Sequence, residues 1–223
     1  MVVSFFWYDS QCPRRKSCRL FSNTTAVFRQ TTPVGENIQN WMCDRLVGKA
    51  NHPIKGHGKI NMSRKRLDGK VALVSGSGSR GSLLGTGRAT AILFAREGAK
   101  LFLVDWDLES AEETKAIIQS EGGESVVWKA DVTKDEACKA MAEACMEQYG
   151  ALHILFNNVG GPGSGDVTEI EEDLWDESLD RNLKSAAFAS KHAVPKIRES
   201  GGGSIIHVSS IDGYRAGTAK NIP

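Results

Sequence analysis

Val71-Ala-Leu-Val-Ser75-Gly-Ser-Gly-Ser-Arg-Gly-Ser-Leu-Leu-Gly-Thr-Gly87 is the stretch that decides the fold. Val71 to Ser75 has the length and apolar content of a buried strand, and Arg88-Ala-Thr-Ala-Ile-Leu-Phe-Ala, which follows, has a helical period. Between them lie the glycines that let a backbone turn sharply and come close to a pyrophosphate. Such a group sits well at a helix N-terminus, where unpaired N–H groups and the helix dipole favour negative charge. Gly76, Gly78 and Gly81 spell G-x-G-x-x-G, a weak signal alone. Its place between a strand and a helix is what gives it weight.

Outward from this turn, apolar runs of strand length alternate with helical segments. Strands are expected over 71–75, 100–105, 125–130, 153–157 and 204–208, and helices over 87–97, 108–120, 134–149 and, as one long element, 172–199. Strands this apolar are buried on both faces, as in a parallel sheet covered by helices. Right-handed crossovers then give an α/β fold, a Rossmann-like doubly wound parallel sheet in the order 3-2-1-4-5. The ligand crevice of such a sheet lies at the carboxyl ends where the order reverses. The second strand ends in Asp105, eighteen residues beyond Gly87. A carboxylate there accepts hydrogen bonds from both ribose hydroxyls and repels a 2′-phosphate, so the cofactor expected is NAD, with NADP second; a solvated acid in a turn is the alternative. Trp106 beside it reads either as a cover for the adenine or as packing.

Composition divides the chain in two. Residues 1–61 hold nine Lys/Arg against Asp9, Glu36 and Asp44, a net of +6, which leaves −5 for residues 62–223. The front segment shows no apolar periodicity long enough for a packed element and reads as a basic, disordered N-terminal extension. Residues 62–223 read as an incomplete NAD(P)-binding domain. Pro13 to Thr32, basic, rich in hydroxyls and poor in acids, fits a mitochondrial or plastid transit peptide, a disordered tail or a mis-assigned start; without targeting, a cytoplasmic protein is expected. No apolar run approaches the roughly 18 residues of a membrane span, so a soluble protein is expected, with no membrane and no nucleic-acid partner. Cys138 and Cys145, seven apart on one helix, read as core. The histidines offer no set of metal ligands: His153 and His207 fall in strand patterns, His192 on the long helix.

Gly76, Gly85 and Gly87, Ala130-Asp131-Val132-Thr133, Asn157-Asn158-Val159-Gly160, Asn182-Leu183 and Val208-Ser209-Ser210 occur in an order and spacing that resemble the short-chain dehydrogenases/reductases, over about residues 66–223. The resemblance implies an oxidoreductase that moves a hydride between nicotinamide and an alcohol or ketone carbon. It implies that Asp131 bonds the adenine amino group with the Val132 backbone beside it; an N-cap for the helix at Lys134 is the structural alternative. Asn157, Asn158 and Gly160 would fix the fourth strand's end beside the cofactor ribose. Asn182 would hold a water in the proton relay, and Ser210, with Ser209 as the alternative, would bond the substrate oxygen. The complete form is expected to be a homo-oligomer with a small-molecule substrate, which the sequence does not name.

Three departures from the family's pattern stand out. Eight residues separate Gly76 from Gly85 where three are expected, so Arg80 to Leu84 reads as an insertion in the phosphate cradle. Val159 replaces the usual alanine. The Tyr-x-x-x-Lys expected about 13 residues after Ser210 is absent, since Ser210 plus 13 is Pro223, and Tyr214 has Thr218 four residues on. The sequence therefore reads as truncated and inactive; a non-catalytic binding module and a gene-model or splice fragment also fit. With later strands missing, 204–208 is expected to be an open sheet edge, a template for pairing with other chains, and a stripe including Leu179, Leu183, Ala187 and Val194 to be partly uncovered.

Overall fold

The computed structural model describes residues 2–9, 26–27, 65–80, 84–161 and 168–210. Its elements run β1 (Val2–Asp9), β2 (Ala26–Val27), β3 (Val71–Ser75), α1 (Thr86–Arg96), β4 (Lys100–Asp105), α2 (Leu108–Ser120), β5 (Ser125–Lys129), α3 (Asp135–Tyr149), β6 (Ile154–Asn157), α4 (Glu172–Leu179), a π-helical turn (Asp180–Lys184), α5 (Ser185–Glu199) and β7 (Gly202–Ser209). One sheet has the order β2-β1-β7-β6-β3-β4-β5. Strands β5, β4, β3, β6 and β7 are all parallel. Numbered from β3, they give the expected 3-2-1-4-5.

The continuous apolar runs follow from burial on both faces. On one face Ala72, Val74, Leu101, Leu103, Ile154 and Phe156 meet Ala91, Ile92 and Ala95 of α1 and Ile118 of α2. On the other, Leu73, Phe102, Val104 and Leu155 meet Cys138, Met141 and Cys145 of α3 and Ala189, Ala193 and Ile197 of α5. Alternate residues of one strand thus serve opposite layers, each large side chain contributing roughly 1.5–3 kcal/mol of burial. Both cysteines are buried in this core, which pushes each thiol up to about 12. They are packing residues.

Two expectations are corrected. The edge of β7 is not open: β1 pairs with it antiparallel over eight residues, from Val2 opposite Ser209 to Asp9 opposite Gly202. A segment expected to carry no packed element therefore supplies the strand that occupies this edge, and β2 pairs with the start of β1. The long helix is also interrupted. In the π-helical turn the Ser185 N–H reaches back five residues to the Asp180 carbonyl, one residue more than an α-helix accommodates, and such turns frequently mark functional positions. The stripe on these elements is partly uncovered as expected, Leu183 being 65% exposed. Among the described residues no helix is long and apolar enough to cross a membrane.

Candidate functional site

The carboxyl ends of β3, β4 and β6 meet where the strand order reverses. The chain leaves β3 through Gly76 at φ +67°, a left-handed conformation that only glycine adopts cheaply. Its N–H and that of Ser77 donate to the Val104 carbonyl (2.9 and 3.2 Å), and the Gly78 N–H donates to Asp105 Oδ2 (2.8 Å). Across the segment read as an insertion, the Gly85 N–H donates to Ser79 Oγ (2.8 Å), so the two flanks of that segment are tied together. A Cβ on Gly87 would overlap the Gly76 carbonyl oxygen and stand 2.8 Å from Asn158 Nδ2, so loop and helix start approach as closely as backbones can. Gly85 is the N-cap of α1; it brings no side-chain cap, and the first turn carries no acid. The first N–H groups of α1 therefore face the loop with the positive end of the helix dipole behind them. Gly76, Gly85 and Gly87 thus lie together at the start of α1 despite the longer spacing between the first two.

Helix α2 backs this loop with groups that the sequence pattern did not single out. Ser110 Oγ accepts from the Ser79 N–H (2.7 Å) and donates to the Ser79 carbonyl (2.9 Å), while fully buried Thr114 donates to the Ser77 carbonyl (2.8 Å). Arg88, on α1, donates to Thr114 Oγ1 (3.0 Å), the Ser110 carbonyl (2.9 Å) and Glu113 (2.7 Å), bolting α1 to α2. A signal existed: Ser110 and Thr114 are small hydroxyl residues four apart, on the face of α2 that turns inward.

Asp105 is 9% exposed, which rules out a solvated acid in a turn. Besides Gly78, it accepts from the Asp107 N–H through Oδ1 (3.1 Å), and each oxygen retains acceptor capacity. Trp106 does not pack inward; it is 64% exposed, with the Arg80 guanidinium 5.4 Å from its ring centroid. Asp131 lies just past β5. It is not a helix N-cap, since α3 begins at Asp135 with Lys134 as cap. Its Oδ1 instead accepts from the N–H and hydroxyl of Thr133 (3.0 and 2.7 Å), a local turn that competes with capping. What burial it has pushes the Asp131 carboxyl up, but the Thr133 bonds and the charges of Lys134 and Lys184 together hold it below the ordinary range. Val132 is buried, and its carbonyl accepts from the Cys138 thiol (3.2 Å).

At the end of β6 the two asparagines divide their work. Asn158 Nδ2 donates to the Gly76 carbonyl (2.9 Å), joining β6 to the glycine loop. Asn157, 4% exposed, donates to Ser190 Oγ (3.3 Å) on α5 and to His207 Nδ1 (3.2 Å) on β7, which places the neutral ring's proton on Nε2; its own Oδ1 is buried without a partner. Burial pushes His207 below the usual imidazole range. Asn182 stands in the π-helical turn. Its Oδ1 accepts from the Gly161 N–H (2.9 Å), and its Nδ2 donates to the carbonyls of Gly161 and Ser178 (3.0 Å each). It thus fastens the loop after β6 against the helix, and a Cβ on Gly160 would stand 2.8 Å from its Oδ1. That oxygen keeps a second lone pair free for a water. Ser210 is exposed, one residue beyond β7 and so at the carboxyl end of the same sheet. The structure thereby gathers Gly76, Gly85, Gly87 and Asp105 around one turn and links Gly160 and Gly161 to Asn182. Asp131, Val132 and Ser210 stand at the ends of flanking strands.

A family model for short chain dehydrogenases matches residues 70–221. The chain belongs to the short-chain dehydrogenase family. It is 37% identical over 144 residues to an uncharacterized oxidoreductase of Thermotoga maritima, covering 65% of this chain and 55% of that one. It is 36% identical over 153 residues to a cyclohexanol dehydrogenase of Acinetobacter sp. (68% and 59% covered). It is 38% identical over 151 residues to a 3beta-hydroxysteroid dehydrogenase of Mediterraneibacter gnavus (67% and 52%). The chain spans between half and three fifths of the length of these relatives. The crystal structure of a Burkholderia xenovorans protein assigned to the short-chain dehydrogenases/reductases superposes with a TM-score of 0.68 at 37% identity, covering 70% of this chain and 62% of that one. The short-chain dehydrogenase family is one of oxidoreductases that use nicotinamide cofactors, NAD or NADP.

Proposed function

We propose that this short-chain dehydrogenase binds NAD in preference to NADP at the carboxyl ends of β3, β4 and β6, and that its complete form interconverts a small alcohol and the corresponding ketone. The observation that carries the cofactor reading is the uncapped N-terminus of α1 beneath Gly76, Gly85 and Gly87, where a Cβ on Gly87 would overlap the Gly76 carbonyl. In this proposal the pyrophosphate lies over the first N–H groups of α1. Asp105 accepts the adenosine ribose hydroxyls, Asp131 and the Val132 backbone border the adenine, and Asn157 and Gly160 hold the strand end beside the second ribose. When bound, the nicotinamide supplies or accepts the hydride. Ser210 orients the substrate oxygen by a hydrogen bond, and Asn182 holds a water on the proton route beside the loop it fastens. The exposed face carrying Leu183 meets a second copy of the chain.

Thirteen residues beyond Ser210, where the resemblance places the family's proton-exchanging tyrosine, the sequence has Pro223. The 223-residue polypeptide taken alone is therefore proposed to bind the cofactor and turn it over slowly, loss of a general acid/base typically costing 10²- to 10⁴-fold. Calorimetric titration of that polypeptide with NADH and NADPH tests the cofactor reading. Tighter NADH binding is expected, with Asp105→Ala narrowing the gap; equal affinities for the two in the parent chain would refute the assignment of Asp105.

A further inference from the structure

Two buried hydroxyls one turn apart on α2, those of Ser110 (8% exposed) and Thr114 (0%), hold the backbone on either side of Gly78. Thr114 Oγ1 donates to the Ser77 carbonyl (2.8 Å), with the Ser110 carbonyl of its own helix farther off (3.3 Å). Ser110 Oγ accepts from the Ser79 N–H (2.7 Å) and donates to the Ser79 carbonyl (2.9 Å). Arg88 donates to both hydroxyls, through Nε to Thr114 (3.0 Å) and through Nη2 to Ser110 (3.2 Å). Each hydroxyl must therefore turn its one proton away from the guanidinium and toward the loop. We propose that Ser110 and Thr114 are positioning residues for cofactor selection: by fixing the two peptides that flank Gly78 they keep its N–H on Asp105, and so aim that carboxylate at the ribose hydroxyls. The proposal rests on the cofactor reading above.

Two N–H groups orient the Asp105 carboxylate, and they come from different segments. Oδ1 accepts from Asp107, in the turn that follows Asp105 itself (3.1 Å), and Oδ2 accepts from Gly78, across on the loop (2.8 Å). The terminal torsion of an aspartate is broad, so a carboxylate held through one oxygen alone swings about it. Accepting both hydroxyls of a ribose and repelling a 2′-phosphate both depend on where the carboxylate points. The Gly78 N–H belongs to the same peptide as the Ser77 carbonyl that Thr114 holds, and the next peptide ends in the Ser79 N–H that Ser110 holds. Gly78 has no room for an anchor of its own, since a Cβ there would stand 2.6 Å from Ser110 Oγ and 3.1 Å from Asp105 Oδ2. The direction of Asp105 is thus set from α2, through backbone that a nucleotide does not have to touch.

The test is a double-mutant cycle read as the ratio of NADH to NADPH affinity. Ser110→Ala and Thr114→Val, each nearly isosteric, are made in the parent 223-residue chain and in Asp105→Ala, and titrated calorimetrically below their thermal transitions. In the parent background each is expected to narrow the ratio by about 2- to 12-fold, the worth of one hydrogen bond. In the Asp105→Ala background neither changes it further. Hydroxyls that served stability alone would lower the thermal transition and leave the ratio as in the parent, which would overturn the proposal while the cofactor reading stood. Narrowing of equal size in both backgrounds would also overturn it, because the hydroxyls would then act on the nucleotide without Asp105. A parent chain with equal affinities for the two nucleotides, or with none, would overturn the assignment of Asp105 or the cofactor reading itself, and this proposal with it.

Discussion

Replacing Gly87 by alanine should destabilise this chain, although the same change inside an exposed helix would raise stability by up to about 1 kcal/mol. The sign reverses because of what the new methyl meets. A Cβ at residue 87 would overlap the Gly76 carbonyl oxygen and stand 2.8 Å from both the Gly76 carbonyl carbon and Asn158 Nδ2. These are backbone and pinned side-chain atoms, and they can yield only by moving the glycine loop roughly 1 Å away from the start of α1. Forced overpacking of this kind costs about 1–3 kcal/mol. The same movement breaks the 2.9 Å bond from Asn158 to the Gly76 carbonyl, for about 1 kcal/mol more. Less the propensity gain, the net is about 1–3 kcal/mol, which lowers Tm by about 2–12 °C for a chain of this size. The proposed phosphate cradle opens with it, so NADH affinity should fall alongside Tm. Thermal melts followed by circular dichroism, paired with calorimetric NADH titration, measure both. A Gly87→Ala chain with an unchanged or higher Tm and parental NADH affinity would show that loop and helix do not approach as closely as described, and the phosphate cradle would fall with it.

Thr114→Val keeps the shape and removes a hydroxyl that donates to the Ser77 carbonyl and accepts from Arg88. Buried partners left unpaired cost about 1–3 kcal/mol, so urea unfolding should show a loss of that size, and no loss would refute the role given to α2. Burial holds His153 and His207 below their ordinary value of 6.5, so the unfolded chain binds protons that the folded chain refuses. Their contribution is fully present above pH 6.5 and is lost as pH falls from there toward the folded values, a slope that His207→Gln should reduce in pH-dependent unfolding. Removing residues 1–9 bares the outer edge of β7, and the backbone amides of residues 203–209 should then exchange with deuterium faster while those of β3 and β4 keep their protection; unchanged exchange would refute the pairing with β1.

The parallel sheet was legible because its central strands β3, β4 and β6 are buried on both faces, and a run such as Val71 to Ser75 has few other ways to satisfy its burial. The glycine turn was legible for the same kind of reason: a close backbone approach leaves a residue-level trace in Gly76, Gly85 and Gly87. The π-helical turn left none, because its five residues, Asp180–Lys184, are fewer than the 11–18-residue window over which an apolar period can be read. Nor did the role of Asp131, where an acid ahead of a helix fits both a cap and a local turn. The choice between them rests on Thr133, whose N–H and hydroxyl both converge on the same oxygen.

The edge of β7 illustrates a different limit. Its pairing with Val2–Asp9 joins residues about two hundred positions apart, and neither partner specifies the other by pattern, since an antiparallel ladder is made of backbone groups that every residue carries. What the sequence does show at 204–208 is a demand: an apolar strand that needs a neighbour. A family-based expectation leaves that demand unmet within residues 1–223 and concludes that the edge is open and sticky. The structure meets it with a segment from the basic extension, and the register brings Val2 opposite Ser209, next to Ser210 at the end of the sheet where the candidate site lies. The extension is thereby tied to the sheet beside the proposed substrate position, and the amide exchange of residues 203–209, with and without residues 1–9, decides whether that tie holds in solution.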